Sequence, residues 1–296
     1  MVSLYSMPKI TKAIITAAGY GTRFLPATKV IPKEMLPLID RPIIQALAEE
    51  AVESGITKVV IVTRPGAEMT KQHFAPYTSL EDHLKSQGKT EQINRLKAIS
   101  QMAEFSFIDQ NPDFPYGTGA PLLSARDYLE EGEFFVLMFG DDLVKAQKPA
   151  VRQLIELWEK QPSAVILATQ EVPESQVSRY GIIKFKEGSE EVEDLVEKPD
   201  PGSAPSRLAS FGRFILNQGI VKILEEQIRQ PMDGKEFYLT DAISTYAKKN
   251  PVLALPIEGK WLTTGDPLNW LKANVEFALE REDIGREFSD YLKELL

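Results

Sequence analysis

Hydrophobic residues in the first 170 positions form short runs that alternate with amphipathic stretches. The strand-like runs are residues 13–18, 58–63, 103–110, 134–139 and 164–169. Stretches with apolar side chains at helical spacing are residues 42–54, 92–102, 120–129 and 151–160. Apolar strands joined by helical crossovers are typical of a parallel sheet covered on both faces. We therefore predict a Rossmann-like α/β fold, with a mainly parallel mixed sheet and helices on both faces.

After residue 175 the pattern changes. Residues 180–185, 193–197 and 208–216 predict strands of a smaller, partly antiparallel portion. Further helices are predicted at residues 219–229, 240–248, 267–281 and 288–296. Because no linker separates these elements, we expect one domain over residues 1–296, with a first half at about 9–175, a second half at about 176–266 and C-terminal helices at about 267–296.

Composition excludes several classes of function. The chain has no cysteine, so disulfides and thiolate chemistry are ruled out, and its two histidines, His73 and His83, lie in a polar segment that we expect at the surface. A formal net charge of -9 argues against a nucleic-acid partner, since phosphate backbones require a basic face. The first ten residues lack an apolar signal-peptide core, and no apolar run is long enough to span a membrane. We expect a cytoplasmic protein with no membrane partner.

The first strand is followed by Gly19-Tyr-Gly21-Thr-Arg23. Two glycines one residue apart permit a tight turn and close approach of backbone N–H groups to a phosphate, and Arg23 adds a matching charge. On its own, this pattern equally fits an ordinary strand-to-helix turn. The next segment contains Pro26, Pro32 and Pro37, which exclude a regular helix. It predicts a rigid loop that returns Lys29 and Lys33 to the edge of the sheet, beside an anionic ligand.

Two later strands end in polar residues. Gln110 closes the third strand and precedes Gly117-Thr-Gly119. Its amide can both donate to and accept from a nucleobase, although it could also only cap the strand end. The fourth strand runs into Asp141-Asp142, at the strand end where α/β proteins bind ligands. One or two carboxylates together with phosphate oxygens suit Mg²⁺, while an Asp pair in this position is also typical of a simple turn.

Together these segments resemble the bacterial UDP-glucose pyrophosphorylases, within the sugar nucleotidyltransferase superfamily. The resemblance extends from Lys12 to the C-terminal Glu287-Phe288 segment, and its most specific part is Lys-Glu-Met-Leu-Pro at residues 33–37. It implies that the first half holds the nucleotide and the second half the sugar. The implied nucleotide-binding residues are Ala17, Ala18, Gly19, Gly21, Gln110 and Gly119. Arg23 and Lys33 would act at the reacting phosphates, and Asp141 would bind Mg²⁺.

The same family carries three motifs on its sugar side, and this chain has them in order: Tyr180-Gly181, Glu197-Lys198-Pro199 and Phe211-Gly212-Arg213. The resemblance implies that Gly181, Glu197 and Arg213 contact the sugar and that Lys198 contacts its phosphate. Glu197-Lys198 would also fit a surface ion pair before a turn. Asp241 is expected near the site, where the preceding Thr240 could be only a helix cap.

Two departures from the family pattern stand out. Residues 117–120 read Gly-Thr-Gly-Ala in place of Gly-Leu-Gly-His, and Thr263 occupies the position of an aspartate that supplies a second magnesium ligand. A hydroxyl is a weaker ligand for a hard cation than a carboxylate. We expect Asp141 to be the principal ligand, assisted by Asp266 or Asp142.

The resemblance implies transfer of a uridylyl group from UTP to a sugar-1-phosphate, with glucose-1-phosphate favoured and Mg²⁺ as cofactor. Such a transfer needs positioned charges and no side-chain nucleophile, which agrees with the absence of cysteine. Another base or sugar, such as dTTP, stays open, as does a non-catalytic nucleotide-sugar sensor. The C-terminal helix suggests a packing or subunit contact, and we expect a homo-oligomer, a dimer or a tetramer.

Overall fold

The structure is a computed structural model that describes residues 9–231 and 234–295. The expectation that the N-terminal segment is not a signal peptide concerns mainly residues 1–8, which lie outside the described residues. The strands are β1 Lys12–Ala17, β2 Pro37–Leu38, β3 Arg41–Pro42, β4 Lys58–Thr63, β5 Glu104–Asp109, β6 Phe134–Phe139, β7 Asp142–Lys145, β8 Val165–Glu171, β9 Gly181–Phe185, β10 Val192–Glu197, β11 Leu208–Asn217, β12 Val252–Pro256 and β13 Lys260–Thr263. The helices are α1 Ile43–Glu53, α2 Glu68–Phe74, α3 Thr78–Ser86, α4 Thr90–Gln101, α5 Gly119–Ser124, α6 Ala150–Lys160, α7 Gln218–Gln227, α8 Leu239–Ala247, α9 Pro267–Ala278 and α10 Gly285–Leu295.

The first half of the chain forms the parallel part of the main sheet. Strand β1 lies between β4 and β6 and is parallel to both, and β5 continues the sheet beyond β4. Successive residues of a strand point to opposite faces, so Ile14 and Ile15 enter two separate hydrophobic cores. Both residues are fully buried. The prediction of a parallel sheet covered on both faces is confirmed.

The second half extends the same sheet with antiparallel strands. Strand β11 is antiparallel to β6, β8 and β9, and β10 forms the edge beyond β9. Strand β12 adds a parallel neighbour to β8. The pairing of β11 with β8 is irregular between Ser210 and Phe214. Because β11 pairs with β9 along its first part and with β6 along its last part, one continuous sheet links both halves of the chain.

Several elements differ from the prediction. The helix expected at residues 120–129 ends at Ser124 and continues as a 3₁₀ turn at Arg126–Tyr128. Strand β12 and the β7–β13 pair were not predicted, because they are short and lack a clear alternation. Residues 25–37 contain the 3₁₀ turns Ala27–Lys29 and Lys33–Met35 but no α-helix, as their prolines require.

The two histidines differ in their surroundings. His83 is exposed, as expected, whereas His73 is half-buried, with Nε2 3.0 Å from Oε1 of Gln45. Within residues 9–231 and 234–295, the helices are all too short or too polar to cross a membrane.

Candidate active site

A cleft of about 560 Å³ lies at the C-terminal edge of the parallel strands and continues toward the antiparallel portion. This volume is in the range of sites that bind small molecules. Its walls come from both halves of the chain. The first half contributes residues 19–23, Lys33, Tyr116, Thr118, Phe139, Asp141 and Asp142, and the second half contributes Arg179 to Gly181, Glu197, Lys198, residues 210–212, Phe214, Glu236, Leu239, Thr240, Ile243, Trp261, Thr263 and Gly265.

The glycine loop after β1 is held in place by the proline-rich segment. Gly21 has a φ of 63°, in the left-handed region that favours glycine. A Cβ at this position would lie only 3.0 Å from Cβ of Lys33 and 3.1 Å from Cγ2 of Thr28. The Thr28 hydroxyl also donates to the Gly21 carbonyl at 2.7 Å. The segment therefore returns Lys33 over the loop, as predicted, while Lys29 stays exposed and outside the cleft wall.

The Lys33 ammonium donates to Oδ2 of Asp141 at 2.5 Å. Burial would raise the pKa of Asp141, but the charge of Lys33 outweighs it and holds that pKa below its usual value. Burial would likewise lower the pKa of Lys33, and the pairing with Asp141 raises it instead. Both groups are therefore ionised at neutral pH. Arg23 is exposed nearby, with Nη1 3.4 Å from the carbonyl of Gly265.

Asp142, the second carboxylate of this pair, has a different environment. Its side chain accepts from the backbone N–H of Gly212 at 2.9 Å and from Nε1 of Trp261 at 2.7 Å. Burial and the neighbouring charge of Asp141 raise its pKa to about 6. Asp142 thus joins β7 to β11 and β13, while Asp141 faces the cations.

On the opposite side of the cleft, Glu197 and Lys198 lie next to each other. The Lys198 ammonium is 3.5 Å from Oε1 of Glu197 and donates to the Tyr238 hydroxyl at 3.2 Å. It also lies 4.7 Å from the centre of the Tyr238 ring, where a cation is attracted to the aromatic face. Burial raises the pKa of Glu197. A partly exposed ammonium and a carboxylate are thus available to an anionic, hydroxyl-rich ligand.

The model of the nucleotidyl transferase family matches residues 12–280. The chain is 42% identical to a UTP–glucose-1-phosphate uridylyltransferase of Bacillus subtilis (strain 168), over 98% of each chain. The chain belongs to the nucleotidyl transferase family. The resemblance found in the sequence motifs is thereby confirmed.

Two solved structures share the fold. A UTP-bound UGPase of Acinetobacter baumannii has a TM-score of 0.83 at 32% identity, covering 97% of this chain and 100% of that one. A UDP-glucose pyrophosphorylase complexed with UDP-glucose has a TM-score of 0.79 at 35% identity, covering 92% of this chain and 100% of that one. The predicted fold class is confirmed.

In this nucleotidyl transferase, Arg213 does not reach the cleft. Its side chain is fully buried and pairs with Glu50 of α1, Nη2 to Oε2 at 2.7 Å. It also donates to the carbonyls of Gly212 and Asp142, both at 2.7 Å. A side chain enclosed in this way cannot contact a sugar. The prediction that Arg213 binds sugar is therefore wrong, and the residue instead fixes the backbone beside Asp141.

Asp266 is also occupied by the protein. It caps α9 by accepting from the backbone N–H of Asn269 at 3.0 Å and from the Asn269 side chain at 2.6 Å. Nη2 of Arg179 lies 3.4 Å from Oδ2, the oxygen that also accepts from the Asn269 side chain. Because both carboxylate oxygens have protein partners, and Asp266 lies outside the cleft wall, its predicted role as an assisting metal ligand does not fit this arrangement.

The predicted base-binding residues lie in two places. Gly119 donates its N–H to the Phe237 carbonyl at 2.9 Å, and a Cβ there would meet Leu224 at 2.9 Å. A base cannot lie against so enclosed a residue, so the prediction that Gly119 binds the base does not fit the structure.

Gln110 lies at the end of β5, outside the cleft wall, and donates its N–H to the carbonyl of Thr63. Ala17 and Ala18 immediately precede the glycine loop, and neither is in the wall. The roles of these last three residues stay predictions.

Sequence reasoning missed other residues of the cleft. Trp261 stacks on Phe211 at an interplanar angle of 15° and meets Tyr180 edge-on, forming an aromatic wall. Ser210 and Thr240 also line the cleft, whereas Asp241, expected near the site, is exposed outside its wall. Tyr180 and Thr240 belonged to motifs identified in the sequence. Ser210 and Trp261 lie in strands whose polar and aromatic positions gave no sign of which way they face.

Proposed function

We propose that this chain transfers a uridylyl group from UTP to glucose-1-phosphate, giving UDP-glucose and pyrophosphate. The observation that carries the proposal is the distribution of charge in one cleft. Arg23 and the Lys33–Asp141 pair lie at the parallel strand ends, and Glu197 with Lys198 lies on the antiparallel portion. Two phosphorylated substrates need two such cationic positions. The names of the uridylyltransferase relatives support the choice of UTP and glucose-1-phosphate.

In this proposal residues 9–175 hold UTP and residues 176–266 hold the sugar phosphate. The glycine loop at Gly19 and Gly21 offers backbone N–H groups to the triphosphate, and Arg23 and Lys33 offset its charge. Lys198 binds the phosphate of the sugar, and Glu197 accepts hydrogen bonds from its hydroxyls together with the backbone at Gly181.

The reaction is an in-line displacement at the α-phosphorus. A phosphate oxygen of glucose-1-phosphate forms the new P–O bond, the bond between the α-phosphorus and its bridging oxygen breaks, and pyrophosphate leaves with that electron pair. The attacking oxygen is already deprotonated, so no side chain has to act as nucleophile or base. The protein contributes orientation and charge neutralisation.

The residues fit a magnesium ion that has one principal protein ligand. The Asp141 carboxylate and the Thr263 hydroxyl converge on Gly265, at 3.2 Å and 3.5 Å from the position of an added Cβ. In the described parts of the chain, acidic and histidine side chains form no cluster of three or more that could enclose a metal. Mg²⁺ commonly keeps several waters and phosphate oxygens beside one or two carboxylates. Asp141 would hold it, with Thr263 as a neighbour, and the ion would neutralise charge on the phosphates.

The test is pyrophosphate release in the presence of Mg²⁺, using UTP, dTTP, CTP, ATP and GTP, each with glucose-1-phosphate and other hexose-1-phosphates. We expect turnover with UTP and glucose-1-phosphate, and a large loss in Lys33→Ala. Preference for another pair would keep the reaction class and change the specificity. Nucleotide binding without pyrophosphate release would identify a sensor and contradict the proposal.

We also propose a cytoplasmic location and assembly into a homo-oligomer, a dimer or a tetramer. Both continue expectations from the sequence, and fractionation and light scattering would test them.

A further inference from the structure

Two residues that line the sugar side of the cleft, Ser210 and Thr240, have buried hydroxyl groups. Neither Oγ of Ser210 nor Oγ1 of Thr240 makes a hydrogen bond to any described residue. We propose that Ser210, with Thr240 beside it, binds ring hydroxyls of the sugar and determines which hexose-1-phosphate is accepted. This inference rests on the proposed function, because it assigns residues to the sugar subsite of the same cleft.

The two hydroxyls surround a position that has no side chain. Ser210 on β11 is the cross-strand partner of Gly181 on β9. Thr240 lies in the first turn of α8, and a Cβ added to Gly181 would come 3.1 Å from its Cγ2. Gly181 therefore lets the strand and the helix approach more closely than a side chain would allow. Ser210 and Thr240 thus flank Gly181, the residue predicted to contact the sugar, from the neighbouring strand and from the helix.

Burial makes these hydroxyls costly unless a ligand binds to them. Ser210 is only 8% exposed, and its oxygen is shielded from solvent. A buried polar group without a partner destabilises a protein, and native structures contain few of them. Burial raises the pKa of Glu197, and the nearby Thr240 opposes this rise, but the Thr240 hydroxyl forms no hydrogen bond of normal geometry. A sugar hydroxyl can donate to one of these groups and accept from another, which satisfies both.

The pairing of β11 with β8 becomes irregular directly after Ser210. Regular pairing of β11 with β8 stops at Ser210 and resumes at Phe214. Irregular pairing of this kind commonly re-aims side chains next to active sites. Immediately after Ser210, Phe211 stacks on Trp261 and the Gly212 N–H binds Asp142. The strand is thus anchored directly after the point where Ser210 meets the cleft.

Thr169 provides a matched control. It is the partner of Ser210 on β8, it is fully buried, and its hydroxyl also makes no hydrogen bond to a described residue. It does not belong to the cleft wall. Removing its hydroxyl therefore tests the effect of a buried, unsatisfied oxygen that no sugar can reach.

The decisive experiment compares substrates that each lack one hydroxyl. We would measure kcat/KM with glucose-1-phosphate and its 2-, 3-, 4- and 6-deoxy analogues for the wild type, Ser210→Ala, Thr240→Val and Thr169→Val. A site that hydrogen-bonds a substrate hydroxyl discriminates strongly against the analogue that lacks it. We expect the wild type to lose about 10- to 100-fold with the analogue that lacks the partner of Ser210.

Ser210→Ala should lose a similar factor with glucose-1-phosphate and almost nothing more with that one analogue. Thr240→Val should show the same behaviour with a different analogue, and Thr169→Val should keep the wild-type pattern. If the losses from mutation and from deoxygenation multiply for every analogue, Ser210 contacts no sugar hydroxyl and the inference is overturned.

A second readout separates sugar binding from a structural role. Ser210→Ala should melt at the same temperature as the wild type or slightly higher without ligand, because it removes an unsatisfied group, and UDP-glucose should stabilise it less. A lower melting temperature with an unchanged UDP-glucose shift would overturn the inference. Absence of pyrophosphate release by the wild type would refute the proposed function alone, because binding of UDP-glucose and its deoxy analogues would still test Ser210.

Discussion

Replacement of Arg213 by methionine would leave a carboxylate uncompensated in the core. Glu50 projects from α1, its side chain is 11% exposed, and it receives Nε and Nη2 of Arg213 at 3.0 Å and 2.7 Å. It also accepts from the N–H of Val151 at 3.3 Å, near the start of α6. Methionine keeps much of the length of arginine but supplies no donor to Glu50. The carbonyls of Gly212 and Asp142 also lose their donor.

The expected cost follows from this burial. Breaking a buried ion pair by removing one partner typically costs about 3–5 kcal/mol, mostly because the remaining charge stays desolvated. The control is Arg207→Met. Arg207 pairs with Glu171, and both side chains are more than half exposed. Solvent screens such a pair, so its loss should cost below about 1 kcal/mol.

Urea unfolding monitored by fluorescence and circular dichroism measures both values. The double variant Glu50→Met/Arg213→Met should recover part of the loss, since it leaves no isolated charge. The reasoning would be refuted if Arg213→Met cost no more than Arg207→Met, or if the double variant were as unstable as the sum of its two single changes.

Three further predictions concern the cleft and its surroundings. Lys33→Met removes the ammonium that pairs with Asp141, so the variant should bind Mn²⁺ more tightly than the wild type in the absence of nucleotide, although its turnover falls. Titration followed by electron paramagnetic resonance measures the Mn²⁺ affinity, and weaker binding by the variant would contradict the prediction. Burial raises the pKa of Glu34 to about 7, so between pH 4.5 and 7 the folded state keeps a proton that the unfolded state releases, and stability falls as pH rises. The free energy of unfolding of Glu34→Gln should therefore exceed that of the wild type by up to about 3 kcal/mol at pH 8 and by little at pH 5. Urea unfolding at both pH values measures the two differences, and equal differences would refute the reasoning. Asp266→Ala should lose about 1 kcal/mol of stability as a helix cap is removed, while the Mg²⁺ dependence of turnover stays unchanged.

Local physical rules predicted much of this molecule. Apolar runs located the parallel strands, since buried strands need apolar side chains on both faces. The prolines between Leu25 and Pro37 excluded a helix and returned Lys33 to the glycine loop. These features depend on residues near each other in the chain.

The errors came from contacts between distant residues. The enclosure of Gly119 depends on Phe237, more than a hundred positions later, and no local pattern announces it. The direction of Arg213 depends on an irregular strand pairing and on Glu50. Ser210 lies in a mostly apolar strand, where a single serine gives no sign that it faces a cleft. Asp266 and Asp141 are chemically alike, and only the structure shows that one caps a helix while the other faces a lysine.

Strand β11 explains why the two subsites of the cleft keep a fixed relation. It pairs with β6, which leads to Asp141, and with β9, which begins at Gly181. Over four consecutive residues it supplies Ser210 to the cleft, Phe211 to the Trp261 stack, the Gly212 N–H to Asp142, and Arg213 to Glu50. In-line transfer requires two anions to be oriented closely, and small displacements reduce its rate strongly. Because one strand carries both alignments, a change at Gly212 or Arg213 should disturb the nucleotide and sugar sides together, whereas Ser210→Ala should affect the sugar side alone.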